Sequence, residues 1–309
     1  MRLLVTGGAG FIGSNFVQHC IDATDHEVVT LDALTYAGDK QNLAAVLDHD
    51  RHRFVEGDVR DAVLVDELVA EADAVVNFAA ESHVDRSIDG AADFVSTNVG
   101  GTQTLLAAAV EHGVDRFLQV STDEVYGHIL DGAFEEDDPL DPRNPYAATK
   151  AGADLLCRSY QRTHDLPVVI VRASNNYGPR QHDEKLIPKF IDLAAAGEEL
   201  PVYGDGTNVR EWIYVEDTCR AFELVLREGE VGEVYNVGSG EERQNIEVTR
   251  RIVDLVGADD DQITFVEDRP GHDQRYALDA TKIEALGWEP EWNFEDGLEA
   301  TVNYYSSNQ

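Results

Sequence analysis

Positive charge is what this 309-residue sequence has least of: 24 Lys and Arg stand against 60 Asp and Glu, a formal net charge of −36. Only Lys40, Lys150, Lys185, Lys189 and Lys282 are lysines. A basic face able to hold nucleic-acid phosphate is thereby excluded. The acids are spread along the whole chain rather than gathered in a tail. Concentrated salt screens such charges within a few ångströms and removes the repulsion that would otherwise strain a compact chain, so the composition predicts a salt-adapted protein. Cysteine is also scarce. Cys20, Cys157 and Cys219 are odd in number and show neither a C-x-x-C nor a His/Cys ligand spacing, so a disulfide framework and a metal site are both unexpected. No apolar run approaches the ~20 residues needed to span a bilayer. Met1 runs straight into a strand pattern instead of a signal peptide. We therefore expect a soluble, unprocessed cytoplasmic protein that meets neither membrane nor nucleic acid. Repeats, low-complexity tracts and flexible linkers are missing as well.

What is present is a regular alternation. Short β-branched runs at Leu3 to Thr6, Val28 to Asp32, Arg53 to Glu56, Ala74 to Phe78, Arg116 to Ser121 and Val168 to Ala173 alternate with longer amphipathic stretches at Phe11 to Asp22, Ala62 to Glu71, Asp93 to His112 and Tyr146 to His164. That order is the mark of parallel β-α-β units, and it predicts an α/β protein with a doubly wound parallel sheet. Gly113 should end its helix as a C-cap. Beyond about residue 178 the rhythm loosens into short strands near Pro201 to Tyr203, Trp212 to Tyr214, Val234 to Val237 and Ile263 to Val266. We expect a sheet domain over 1–178, with 211–241 returning to it. A smaller α/β substrate-binding lobe takes 179–210 and 242–309, and the ligand cleft lies between them.

The first strand runs into Thr6-Gly7-Gly8-Ala9-Gly10-Phe11-Ile12-Gly13-Ser14. Glycines at a strand end and helix start let the backbone turn tightly, bring N–H groups to a pyrophosphate, and pack helix on strand. With Gly7, Gly10 and Gly13 in these places the pattern predicts a dinucleotide loop of the Rossmann-like kind. Asp32 closes the second strand nineteen residues after Gly13. A carboxylate there would accept ribose hydroxyls and repel a 2′-phosphate, favouring NAD over NADP; otherwise it is a plain turn acid. Asp58 could meet the adenine amino group, or cap the helix beginning at Ala62, a role for which Asp61 competes.

Tyr146 and Lys150 stand four apart on a helix that Pro145 can open, so one face carries both. A phenol titrating near about 10 is a poor base. An adjacent ammonium and an oxidised nicotinamide would both favour the phenolate and make Tyr146 a base for alcohol oxidation.

With the glycine loop, Ser121-Thr122 at a strand end and Tyr146-x-x-x-Lys150, the chain resembles the extended short-chain dehydrogenase/reductase family acting on nucleotide sugars. Thr122-Asp123-Glu124, within Ser121-Thr122-Asp123-Glu124-Val125-Tyr126-Gly127, is similar to the dTDP-glucose 4,6-dehydratase branch. Epimerases of the family lack the acid pair. The GDP-mannose dehydratases and UDP-glucuronate decarboxylases show Ser before the Glu. The resemblance implies a redox-neutral lyase: Tyr146 and Thr122 handle the hydroxyl on carbon 4 as hydride passes to NAD, Glu124 removes the carbon 5 proton, and Asp123 protonates the leaving hydroxyl on carbon 6. The hydride then returns to carbon 6. Two adjacent carboxyls must then differ in protonation.

The resemblance further implies cofactor contacts from Phe11, Ile12, Thr35, Val59, Ala79, Ala80, Thr97 and Asn176. For the nucleotide-diphosphate sugar it implies contacts from Ser82, Asn175, Lys185, Arg210, Asn245 and Arg269, with Lys185, Arg210 and Arg269 towards the diphosphate. A homodimer formed by the helices Asp93 to His112 and Tyr146 to His164 is also implied. His83 and His272 are expected as hydrogen-bonding residues, with no metal bound. Arg180-Gln181-His182-Asp183 departs from the more apolar link the family pattern suggests, and the second lobe is short. A UDP-glucose 4,6-dehydratase, a nucleotide-sugar 4-epimerase and a non-catalytic NAD-binding sensor remain as alternatives.

Overall fold

The computed structural model describes residues 1–268 and 271–307. Its first half builds β1 (Arg2–Thr6), α1 (Phe11–Ala23), β2 (Glu27–Asp32), β3 (His52–Glu56), α2 (Ala62–Val69), β4 (Ala74–Asn77), α3 (Val84–Asp89), α4 (Ala92–Phe94), α5 (Thr102–His112), β5 (Arg116–Thr122), α6 (Pro145–His164) and β6 (Val168–Ala173). There follow β7 (Asn175–Tyr177), α7 (Leu186–Ala196), β8 (Leu200–Tyr203), β9 (Val209–Tyr214), α8 (Val215–Glu228), β10 (Val234–Val237), β11 (Glu242–Gln244), α9 (Asn245–Val256), β12 (Ile263–Val266), α10 (Thr281–Glu284) and α11 (Phe294–Ser307).

Seven parallel strands form the main sheet in the order β10-β6-β5-β4-β1-β2-β3. Alternate residues of each strand face opposite layers. Leu3, Val5, Val169 and Val171 pack towards α1 and α8, whereas Leu4, Val75, Phe117 and Ile170 pack towards α2, α5 and α6. The sheet is therefore doubly wound, as the alternation predicts. Strand order reverses between β1 and β4, and a crevice opens there at the carboxyl ends of the strands. A further core joins α7, α9 and α11 to β7, β8 and β9 through Tyr177, Phe190, Trp212, Ile252 and Phe294. Two small sheets, β11-β9-β7 and β12-β8, complete this region. The strand β9 runs across the boundary expected at residue 211.

Local chemistry sets the helix ends. Asp61 accepts from Val63 N at 3.1 Å and Leu64 N at 3.2 Å, so it, and not Asp58, caps α2. Asn144 caps α6 through Ala147 N at 2.8 Å, with Pro145 in the first turn. Gly113 ends α5 in the left-handed conformation, φ 64°.

The helix expected from Asp93 to His112 is a correction. It divides into α4, a π-helical stretch Val95–Gly101, and α5. Gly101 approaches Val59 so closely that a Cβ would come within 2.5 Å of a valine methyl. The wider turn accommodates that approach and brings Thr97 to the crevice.

Candidate active site

Every residue read from the sequence as a cofactor candidate lines one cavity at the switch point. Gly7, Gly10, Phe11, Ile12 and Gly13 form one wall, Asp32, Thr35, Asp58 and Val59 a second, and Ala79, Ala80, Thr97, Tyr146, Lys150 and Asn176 the remainder. Ser82, Thr122, Asp123, Glu124, Asn175 and Lys185 line the same space. The glycine loop fits a dinucleotide for a steric reason. A Cβ on Gly13 would fall 2.3 Å from the Gly7 carbonyl oxygen, and Gly7 itself has φ +67°. Backbone alone can occupy these positions and present N–H groups. Gly13→Ala is accordingly expected to weaken NAD retention at least about tenfold. NAD released by acid from the purified variant measures it, and a wild-type NAD content would refute the loop's role.

Asp32 already has work inside the protein. Oδ2 accepts from Ala9 N and Oδ1 from Leu34 N, each at 2.8 Å, so the carboxylate fixes the loop as well as facing the cavity. Each oxygen retains a further acceptor position for a ribose hydroxyl. Burial pushes its pKa up, against these backbone donors. Asp58 is clamped by Arg60, which holds its carboxyl below the usual range. Asn175 Oδ1, Asn176 Oδ1 and Ser121 Oγ are buried without a hydrogen-bond partner among the described residues, as groups awaiting a polar ligand would be.

The turn Asp123–Tyr126 follows β5 directly and carries both acids. Asp123 is buried, accepts from Thr122 Oγ1 at 3.1 Å, and leaves Oδ2 without a hydrogen-bond partner among the described residues. Burial first, then the charges of Glu124 and Glu211, hold its carboxyl well above the ordinary carboxylate range. Burial thus favours its protonated form. Glu124 is only half-buried and receives Asn144 Nδ2 on Oε2 at 2.9 Å. One residue thus caps α6 and orients the second carboxylate. The two acids occupy the unequal surroundings that different protonation states require.

Tyr146 and Lys150 share one face of α6, as expected, but the ammonium is engaged elsewhere. Lys150 Nζ donates to the Val120 carbonyl at 2.6 Å, and burial lowers its pKa to about 8. Burial pushes the Tyr146 phenol up, Glu124 adds to that, and a hydrogen bond with Thr122 opposes it. In the protein by itself burial thus works against the phenolate. The Lys150 ammonium one helical turn away and the positive charge of an oxidised nicotinamide are the influences that would favour it.

Two substrate candidates lie away from the cavity lining. Arg210 donates to its neighbour's carbonyl at Val209 and to Asp273 O at 3.0 Å, and its guanidinium carbon sits 4.4 Å from the Tyr276 ring centroid. Asn245 opens α9, where its buried Oδ1 has no hydrogen-bond partner among the described residues. Arg269 lies outside the described residues. Lys185 precedes α7 and donates to Ser82 O at 3.1 Å. His83 and His272 make side-chain contacts with Glu184 and Asp268.

Sequence reasoning passed over Phe78, Glu81, Gln181 and His182, which also line the cavity. Gln181 and His182 belong to the segment that departs from the family pattern. Arg180 there adopts φ 70° and anchors the segment on Asn15 and Gln18 of α1. His182 Nε2 lies 3.0 Å from Tyr36 O, tying the segment to the loop after β2. No local motif marks these residues, because the anchors on Asn15, Gln18 and Tyr36 come from segments more than 140 positions away.

The family model for GDP-mannose 4,6 dehydratase matches residues 4–301. The chain is 72% identical to the low-salt glycan biosynthesis protein Agl12 of Haloferax volcanii, over 99% of this chain and 98% of that one. It is 52% identical to a dTDP-glucose 4,6-dehydratase of Streptomyces niveus, over 100% and 94%. Among solved structures, DesIV, a dTDP-glucose 4,6-dehydratase from Streptomyces venezuelae determined with NAD bound, superposes with TM-score 0.98 at 54% identity, covering 100% of this chain and 98% of that one. Whole-chain identity at this level, together with the loop, the Tyr-Lys helix and the acid pair in one cavity, means that the chain belongs to the GDP-mannose 4,6 dehydratase family and to its dTDP-glucose 4,6-dehydratase branch.

Proposed function

We propose that the protein is an NAD-dependent hydro-lyase that converts dTDP-glucose to dTDP-4-keto-6-deoxyglucose and water. One observation carries the reading: a buried Asp123, its carboxyl held well above the ordinary range by burial, adjoins a half-buried Glu124 on a turn facing the same cavity as Tyr146 and Lys150. Gly7, Gly10, Gly13 and Asp32 would hold NAD, which supplies a reversible electron acceptor for the carbon 4 alcohol when bound. Tyr146 takes the proton of that hydroxyl, with Thr122 beside it. The resulting ketone acidifies the carbon 5 proton, and Glu124 removes it. Asp123 donates its proton to the carbon 6 hydroxyl, and water leaves. Electrons taken at carbon 4 are returned at carbon 6 as Glu124 gives its proton back to carbon 5, and the proton held by Tyr146 replaces, through solvent, the one Asp123 gave to water, so no net oxidant or proton is consumed.

The test is product mass. Purified protein in molar potassium chloride, without added NAD, receives dTDP-glucose and UDP-glucose in separate tubes. Loss of one water from the dTDP sugar alone is expected. Loss from the UDP sugar instead would move the substrate to UDP-glucose, and unchanged masses with NAD supplied would refute the dehydratase reading.

We assign the cofactor to residues 1–178 with 211–241 and the sugar nucleotide largely to 179–210 with 242–309. We further infer a cytoplasmic homodimer. No helix among the described residues is long and apolar enough to cross a membrane, and the three buried free thiols suit a reducing compartment. Val95 and Leu155 stand exposed on the π-helical stretch and on α6, the faces expected to pair. Light scattering should give twice the chain mass, and Val95→Glu with Leu155→Glu should return it to one. The net charge of −36 leads to a salt prediction. The thermal midpoint should fall by several degrees between molar and ~0.05 M potassium chloride as screening is lost; a midpoint independent of salt would refute the adaptation.

A further inference from the structure

One charged pair lies outside every contact assigned above. Arg172 on β6 is the largest of the fully buried side chains. Its Nε donates to Asp154 Oδ2 at 3.0 Å, and neither side chain has exposed surface. Taking a guanidinium and a carboxylate out of water costs much of what their attraction returns, so apolar residues of equal volume would pack at least as well. The pair instead connects the two halves of the site. Asp154 stands one helical turn beyond Lys150 on α6, and its charge counteracts the burial that lowers that lysine. From the other end of the pair, Arg172 Nη1 donates to the Tyr126 hydroxyl at 2.7 Å, and the guanidinium carbon lies 4.6 Å from the ring centroid. Tyr126 closes the turn that carries the acid pair. Its hydroxyl donates to Asn236 Oδ1 on β10 at 2.8 Å, and Asn236 N donates to Glu136 Oε1 at 2.9 Å. The ring is thus held from two sides.

We propose that Asp154, Arg172 and Tyr126 form a buried strut that fixes the spacing between the oxidising pair, Tyr146 and Lys150, and the eliminating pair, Asp123 and Glu124. Arg172 and Tyr126 are positioning residues for water elimination. One sugar ring must present carbon 4 to Tyr146 and carbons 5 and 6 to the acids without leaving, so the two pairs need a set separation. Displacing the turn would slow elimination more than oxidation. The strut rests on the dehydratase reading, and its test separates the two.

Arg172→Ala would strand the Asp154 carboxylate in the core and compromise folding. The deciding variant is Tyr126→Phe, which removes one oxygen and keeps the ring stacked on Phe134. Wild type and variant receive dTDP-glucose in parallel, and product formation, the near-ultraviolet absorbance of reduced nicotinamide during turnover, and thermal unfolding are recorded. A wild type that releases no water refutes the dehydratase reading and the strut with it. With the wild type active, the variant should lose about ten- to a hundredfold in kcat, with KM changed by less than about twofold. Its reduced-nicotinamide absorbance should rise, since oxidation now outpaces elimination. Wild-type kcat and absorbance in Tyr126→Phe overturn the strut. So does a kcat loss accompanied by unchanged absorbance and a lowered unfolding midpoint, which marks a structural role only.

Discussion

Glu124→Gln is expected to purify with NAD bound and to form product about 10²–10⁴-fold more slowly than the wild type. The substitution keeps the shape of the side chain, and the amide oxygen can still accept from Asn144 Nδ2, now at 2.9 Å from Glu124 Oε2. The glycine loop and Asp32 are untouched, so cofactor retention should not change. What disappears is the base for the carbon 5 proton. Exchange of that proton with solvent deuterium should therefore vanish together with water loss, while oxidation at carbon 4 persists. Normal exchange in the variant would remove Glu124 from the mechanism.

Tyr146→Phe should fail one step earlier, with overall turnover down by about 10²–10⁴-fold and no carbon 5 exchange, because no ketone forms to acidify that proton. Absorbance of reduced nicotinamide should stay at baseline in this variant, in contrast to Glu124→Gln. The wild type's pH profile carries a linked expectation. Burial sets Lys150 near about 8, so raising pH through that value removes its charge. The phenolate loses electrostatic support as the ammonium becomes an amine, and kcat/KM should fall on the alkaline side. Lys150→Met should lack that limb and run at a lower plateau. A flat wild-type profile across this range would show that Lys150 does not act through its charge.

What could be read without coordinates was mostly contiguous. The glycine loop, Thr122-Asp123-Glu124 and Tyr146-x-x-x-Lys150 each state their geometry within a few residues, because a strand end, a short turn and one helical turn leave little freedom. The parallel alternation also carried the main sheet. Contacts between distant segments were hidden. Arg210, a diphosphate candidate in the sequence, donates to Asp273 O and rests on Tyr276, contacts more than sixty residues away that no local pattern announces. Arg172 reads as a polar residue within a strand, and nothing local announces its pairing with Asp154 or the bond from Tyr126 to Asn236, 110 positions on. Apolar spacing within Asp93 to His112 fits an α-helix, and nothing in it announces the π-helical stretch, whose last residue Gly101 packs closely on Val59 from a distant segment. Lys150 likewise carried the correct spacing but not its partner, since the Val120 carbonyl that accepts its hydrogen bond belongs to another element. Asn144 was the recoverable omission: a helix-capping residue next to Pro145 has a second polar end, and here that end reaches Glu124.

The most direct test of the account follows one atom. dTDP-glucose carrying deuterium on carbon 4 is incubated with the purified protein in molar salt, without added NAD, and the product is examined by mass spectrometry and NMR. The account predicts a product lighter by one water that bears the deuterium on carbon 6, since electrons taken at carbon 4 are returned within the same site. Deuterium remaining on carbon 4 of a sugar of unchanged mass, or lost to solvent, would contradict it.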